Sequence, residues 1–164
     1  MTTLSKTQVT KDLSSKKIRV EREFAAPVEK VWRAWTDSSL LDQWWAPKPW
    51  RAETKSMDFR PGGTWLYCMI GPENEANWCR VDYQSIEKFK HFSGLDLFCD
   101  ENGNKLNELP SMNWKSEFIE MGESTKVVVS VSFNSEADIK TIIEMGFEEG
   151  FTSAMDNLDE LLEG

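Results

Sequence analysis

The chain is poor in the residues on which metal and thiol chemistry is usually built. It has one histidine, His91, and three cysteines, Cys68, Cys79 and Cys99, in 164 residues. A single histidine excludes a two-histidine metal motif and any dyad that needs a second imidazole. The cysteines are odd in number and show no CxxC spacing, so they fit small buried thiols in a reducing cytoplasm better than a disulfide or zinc framework. Cys68 and Cys79 fall in strand-like segments, not at a helix N-terminus where a thiolate would be stabilised, and read as inert core. The GxGxxG, P-loop, HExxH and GxSxG patterns are all missing. No cofactor and no metal is expected.

Basic charge is scarce as well. Lys and Arg number 19 against 28 Asp and Glu, a net charge of −9. The acidity gathers at one end: residues 136–164 carry nine acidic side chains and one Lys, whereas residues 1–17 carry four Lys and one Asp. Without a basic patch nucleic acid is not an expected partner. No apolar run reaches the roughly eighteen residues of a membrane span. The first ten residues lack the apolar core, about seven residues or more, of a signal peptide. The expected location is the cytoplasm.

Aromatics are what the chain has in excess, at 12% with eight Trp. Three of those Trp and two of the six Pro fall within Asp42-Gln-Trp-Trp-Ala-Pro-Lys-Pro-Trp50. A cluster of this kind is a core plug, the lip of an apolar cavity or an exposed contact patch.

Residues 1–17 are polar and aperiodic and read as a flexible tail, followed by one domain over 18–164. Ile18–Phe24 alternates apolar and charged positions, the period of a half-buried strand. Pro27 suits a helix start, and Val28, Val31, Trp32 and Trp35 recur at helical spacing through Thr36. Asp37-Ser-Ser39 breaks this helix and caps a second, Leu40–Trp45, which Pro47 stops. Strands are then expected at Ala52–Phe59, Thr64–Ile70, Trp78–Ile86, Phe89–Asp100, Met112–Glu120 and Lys126–Phe133, with a type II turn at Arg60-Pro-Gly-Gly63. From Ile139 to Leu162 apolar residues repeat at three- and four-residue steps, which predicts one long amphipathic helix. Its length, about 36 Å at 1.5 Å per residue, suffices to cross a sheet. Gly146 and Gly150 lie on its apolar stripe, each costing roughly 1 kcal/mol against Ala, so either a close approach to the sheet or room for a cavity is expected there.

This order predicts an α+β fold. A curved antiparallel sheet of about six or seven strands, with two short helices after strand 1, buries one face against the C-terminal helix. The space between sheet and helix tapers, and the tryptophan-rich segment closes its open end.

Four stretches carry a resemblance to a known family: Phe24-Ala-Ala-Pro-Val-Glu-Lys-Val-Trp-Arg-Ala-Trp35, Leu41-Asp-Gln-Trp-Trp-Ala-Pro47, Met57-Asp-Phe-Arg-Pro-Gly-Gly-Thr-Trp65, and Gly146-Phe-Glu-Glu-Gly-Phe-Thr-Ser-Ala-Met-Asp-Asn-Leu-Asp-Glu-Leu161. In this order they resemble the heat-shock-protein-90 ATPase activator homologue-like branch of the START-like (SRPBCC, Bet v 1-like) superfamily, from about Lys17 onward. The resemblance implies a helix-grip fold with an apolar interior cavity, often able to hold a lipid or a flat hydrophobic molecule. The eukaryotic namesake has a further N-terminal domain that makes the major chaperone contacts, and this chain matches only the other domain.

The expected function is non-catalytic binding of a small hydrophobic or amphipathic ligand between sheet and C-terminal helix. The expected lining is Trp44, Trp50, Trp65, Tyr67, Trp78, Trp114, Phe118, Phe147, Phe151 and Met155, where slipping a strand by one residue would exchange each for its neighbour. Lys48 and Arg51, which flank the tryptophans, are candidates to meet an anionic group at the mouth. Two alternatives stand beside this reading. A cyclase- or aromatase-like enzyme would need an inward carboxylate, for which Asp82 and Glu117 are the candidates. A protein-interaction module would act on the chaperone or another partner.

Overall fold

A computed structural model of the chain describes residues 7–163. Eight antiparallel strands form one curved, open sheet in the order β1-β2-β8-β7-β6-β5-β4-β3. The strands are β1 (Gln8–Asp12), β2 (Lys17–Phe24), β3 (Arg51–Met57), β4 (Thr64–Ile70), β5 (Ala76–Glu87), β6 (His91–Cys99), β7 (Met112–Met121) and β8 (Ser124–Ser132). Helices α1 (Val28–Thr36) and α2 (Ser38–Trp44) connect β2 to β3, and α3 (Glu136–Glu144) and α4 (Phe147–Glu163) follow β8.

Period-two burial builds the inner face. Ile18, Val20 and Phe24 of β2 point inward, and Val127, Val129 and Val131 of β8 pair beside them. Apolar surface removed from water here is the main stabilising term. On α1, Val31, Trp32 and Trp35 share the buried stripe. Trp32 stands edge-on to Phe118 at 5.0 Å and to Phe92 at 5.8 Å, a geometry favoured by the ring quadrupoles. Asp37 caps α2 through the Ser39 amide.

Two expectations need correction. The polar tail expected over residues 1–17 contains β1 (Gln8–Asp12). This strand pairs with β2 from Gln8↔Glu21 to Asp12↔Lys17. It is an edge strand held by backbone ladder bonds, so it needs no apolar face and leaves no period in the sequence. Residues 1–6 of that expected tail lie outside the described residues. The sheet therefore has eight strands and not six or seven.

The single C-terminal helix is two helices. Gly146 adopts φ +90, a left-handed backbone that an L side chain resists. Its amide donates to Ile143 O at 3.0 Å and ends α3. The apolar spacing continues across the break because α3 and α4 bury Ile139, Ile142, Phe151, Met155 and Leu158 in the same core.

Candidate functional site

A cavity of about 840 Å³ opens between the inner face of β4–β7 and the C-terminal helices. Three chain segments distant in sequence frame it: Pro47 to Trp50 after α2, the 100–111 excursion between β6 and β7, and the α3–α4 junction at Met145 and Gly146. Each is held in place by specific bonds. Asn157 Nδ2 of α4 donates to Ala46 O at 3.1 Å, tying the tryptophan segment to the helix. Asp42 accepts from the Thr54 amide and hydroxyl at 3.0 and 2.6 Å, tying α2 to β3. Gly150 brings α4 close to the same segment, since a Cβ there would lie 3.7 Å from Pro47 Cγ. Gly146 and Gly150 both border the cavity, so the missing side chains serve the opening and the helix break, not contact with the sheet.

Six of the ten expected lining residues border this space: Trp50, Tyr67, Trp78, Trp114, Phe147 and Phe151. Trp78 sits at the half-buried margin, with the Lys55 ammonium 5.7 Å from its ring centroid, and its neighbour Cys79 is the buried member of that pair. Trp44, Trp65, Phe118 and Met155 do not border it. Trp44 is fully enclosed and donates to Ala34 O at 2.9 Å. Trp65 stacks on Tyr67 at 4.0 Å and donates to Thr54 Oγ1. Phe118 packs on Trp32 and Trp35, and Met155 is sealed in the core. Trp45 takes the place expected for Trp44. Its indole N–H donates to the Tyr67 hydroxyl at 2.9 Å, and its ring meets Phe151 and Trp114 at 5.9 Å each.

The two expected carboxylates lie elsewhere. Asp82 is bonded to Arg80 Nη2 and Thr64 Oγ1, both at 3.0 Å, and does not border the cavity. Glu117 opposes His91 across the β6–β7 ladder, also away from it. His91 lies 3.2 Å from Glu87. Lys48 and Arg51 pair with Glu160 and Glu53 and do not line the opening.

The inward carboxyl is Asp96. It is 6% exposed, borders the cavity, and accepts no hydrogen bond from any described residue. Burial pushes its pKa up to about 7, because the charged form loses water and gains no partner. Tyr67 and Cys79 face it from β4 and β5. Burial raises the Tyr67 phenol well above its ordinary value, and the Cys79 and Asp96 charges add to this. Cys79 is likewise raised by burial and then by Asp96. Both are neutral at physiological pH. Trp114, which also borders the cavity, has its Nε1 buried without an acceptor.

Asp96 is hidden in the sequence by its neighbours. In Phe92-Ser-Gly-Leu-Asp-Leu-Phe98 both strand faces carry apolar residues, so an acid reads as outward. One signal was available: Phe92, Gly94, Asp96 and Phe98 share one parity, and Gly94 leaves no Cβ beside the Asp82 carbonyl, which would stand 2.8 Å from it.

Among the described residues no group of His, Cys, Asp and Glu is arranged to hold a metal ion, and no helix is long and apolar enough to cross a membrane.

The chain is similar to several bacterial proteins of known structure. It is 31% identical to protein Ms6760 from Mycobacterium smegmatis, with a TM-score of 0.88 over 94% of this chain and 95% of that one. A protein from Arthrobacter aurescens is 30% identical, with a TM-score of 0.91 over 95% of this chain and 91% of that one. One from Staphylococcus epidermidis is 27% identical, with a TM-score of 0.82 over 94% and 93%. No functionally curated protein matches the chain. The family model described as Activator of Hsp90 ATPase homolog 1-like protein matches residues 25–163. With that match over most of its length and with relatives that share its START-like fold nearly end to end, the chain belongs to the Activator of Hsp90 ATPase homolog 1-like family.

Proposed function

We propose that this protein binds one small hydrophobic or amphipathic molecule in the cavity between β4–β7 and the C-terminal helices, without transforming it. The observation that carries this reading is the cavity itself, about 840 Å³ and walled by Trp45, Tyr67, Trp114 and Phe151, within the range of pockets that enclose small ligands. The fold commonly binds hydrophobic ligands. A non-catalytic role is supported by the protonation states: the thiol and phenol nearest the cavity floor are held neutral by burial, so neither is a nucleophile near pH 7. Three free, buried cysteines accord with a reducing cytoplasm.

Titration with an uncharged amphiphile, dodecanol, followed by tryptophan fluorescence is the direct test, because Trp45 and Trp114 border the space. Saturable quenching is the expected result. A flat titration, with no small molecule found by native mass spectrometry after gentle purification, would overturn the reading.

Asp96 also favours a second reading, an enzyme of the cyclase or aromatase kind with this carboxyl in place of Asp82 or Glu117 as acid or base. A carboxyl with a pKa near 7 is poised for either role. Asp96→Asn that leaves turnover of an accepted substrate unchanged removes it.

A further inference from the structure

The charge around the cavity is of one sign. Among the described residues three acidic side chains border it, Asp96 at depth and Asp100 and Glu101 at the margin, and no Lys, Arg or His does. The nearby cations are engaged elsewhere: Lys55 Nζ donates to the Glu101 backbone carbonyl at 3.0 Å, and Arg80 binds the Gly103 carbonyl and Asp82. Asp100 is satisfied within its own loop. It accepts from the Asn102 and Asn104 amides at 2.9 Å each, and these bonds hold its carboxyl below the usual range. Asp96 has no such support. A buried carboxylate without a donor costs far more than a paired one, so a molecule that brings a donor is favoured over one that does not.

The walls add to this preference. Aromatic faces attract cations through the ring quadrupole, and Trp45, Trp114, Phe147 and Phe151 form a connected aromatic wall with centroid spacings of 5.4 to 6.0 Å. An anionic amphiphile such as a fatty acid would instead bring its carboxylate beside Asp96 or the acidic margin, where Lys55 is already held on the Glu101 carbonyl.

We infer that the cavity selects an apolar amine, whose ammonium group donates to Asp96 while its hydrocarbon body packs against Trp45, Trp114 and Phe151. This rests on the binding reading above and names the chemistry of the ligand. Binding then draws Asp96 into its charged form and releases a proton. The titratable groups facing Asp96 are Tyr67 on β4, Cys79 and Tyr83 on β5, and Cys99 on β6. All four are raised by burial, so none titrates between about pH 6 and pH 8. On β7 and α4 the neighbours bordering the cavity are Met112, Trp114, Phe147 and Phe151, which carry no charge.

Three chain-matched probes test the inference by calorimetry below their aggregation limits: dodecylamine, dodecanol and dodecanoate. Dodecylamine is expected to bind about tenfold tighter than dodecanol, and dodecanoate weakest, from the worth of one charge-assisted hydrogen bond. Amine affinity is expected to rise about tenfold from pH 6 to pH 8 as Asp96 ionises, with proton release visible in buffers of different ionisation enthalpy. Asp96→Asn should bring the amine within about threefold of the alcohol and flatten the pH dependence. A near-UV circular dichroism spectrum of that variant matching the wild type's reports an intact aromatic wall. If the variant does not fold, the wild-type pH dependence and proton release decide the matter alone. Dodecanoate binding as tightly as the amine, or an amine affinity that ignores pH, overturns the amine preference while leaving a binding cavity in place. Failure of all three probes overturns the binding reading as well.

Discussion

Trp45 Nε1 donates to Tyr67 Oη at 2.9 Å, joining the segment after α2 to the inner face of β4. Both partners are buried and both border the cavity. The bond fixes one wall of the opening to its floor.

Tyr67→Phe removes the acceptor and leaves the Trp45 indole N–H buried alone. The expected loss is about 1–3 kcal/mol of stability, read from urea unfolding, because a stranded buried donor costs more than an average hydrogen bond contributes. A change below about 0.5 kcal/mol would mean that the indole finds another acceptor.

The two cavity glycines should respond in opposite directions to alanine. At Gly146, with φ +90, the only heavy atom near a new Cβ is Glu149 Oε2 at 3.8 Å, so backbone strain decides, and Gly146→Ala should cost about 1 kcal/mol or more. At Gly150, in regular helix, a Cβ meets Pro47 Cγ at an ordinary 3.7 Å, and Gly150→Ala should stabilise by up to about 1 kcal/mol. Thermal melts of the two variants check both signs.

Arg22 is buried on the inward face of β2, 9% exposed at its side chain, and reaches Asp156 at 2.6 Å and Asp159 at 3.2 Å on α4. Asp156 is 64% exposed, so the burial penalty falls on the cation. Arg22→Met should therefore change stability by about 1 kcal/mol or less, whereas Asp156→Ala with Asp159→Ala, which leaves the buried guanidinium its Thr7 Oγ1 contact but neither carboxylate, should cost about 3 kcal/mol. Denaturant midpoints of the two variants make the comparison.

Asp96 gives the fold a pH dependence of its own. Its folded pKa of about 7 lies above the unfolded value of about 3.9, so the native state keeps a proton that the unfolded chain has released. Stability from this group is full below about pH 4 and is lost as pH rises through about 7. Asp96→Asn lacks the effect, and its advantage over the wild type should grow across that window to a few kcal/mol and then level off. Urea unfolding from about pH 5 to pH 8 reads the gap; equal slopes for both proteins would mean that Asp96 is solvated in the native state.

The strands from Ile18 onward were legible because half-buried strands alternate and their turns carry Pro, Gly and Asn at the bends. Gly62, with φ +85 in the predicted type II turn, is one example. The edge strand Gln8–Asp12 left no such mark, since backbone pairing does most to hold it and only Val9 packs partly against the core. The helix break at Gly146 was written as a glycine on an unbroken apolar stripe, and the stripe dominated. The site was legible in its aromatic character but not in its polar centre. Adjacent tryptophans, Trp44 and Trp45, differ by one helical step, which spacing alone does not resolve. Asp96 is flanked by Leu95 and Leu97, and against those two leucines the shared parity of Phe92, Gly94, Asp96 and Phe98 was too slight a signal to turn it inward.

The 100–111 excursion contributes Leu106 and Leu109 to the cavity wall, and it meets the sheet through its own backbone: the Cys99↔Lys105 bridge, the Leu106 amide on Phe98 O, and the Glu101 and Gly103 carbonyls that accept from Lys55 and Arg80. Doubling the length of such a loop costs only about 0.6 kcal/mol of closure entropy. Lengthening or exchanging it would therefore alter what the pocket accepts while the ladder and the aromatic core stay as they are. A designer, or a diverging lineage, could rewrite the guest list of this protein without renegotiating its fold.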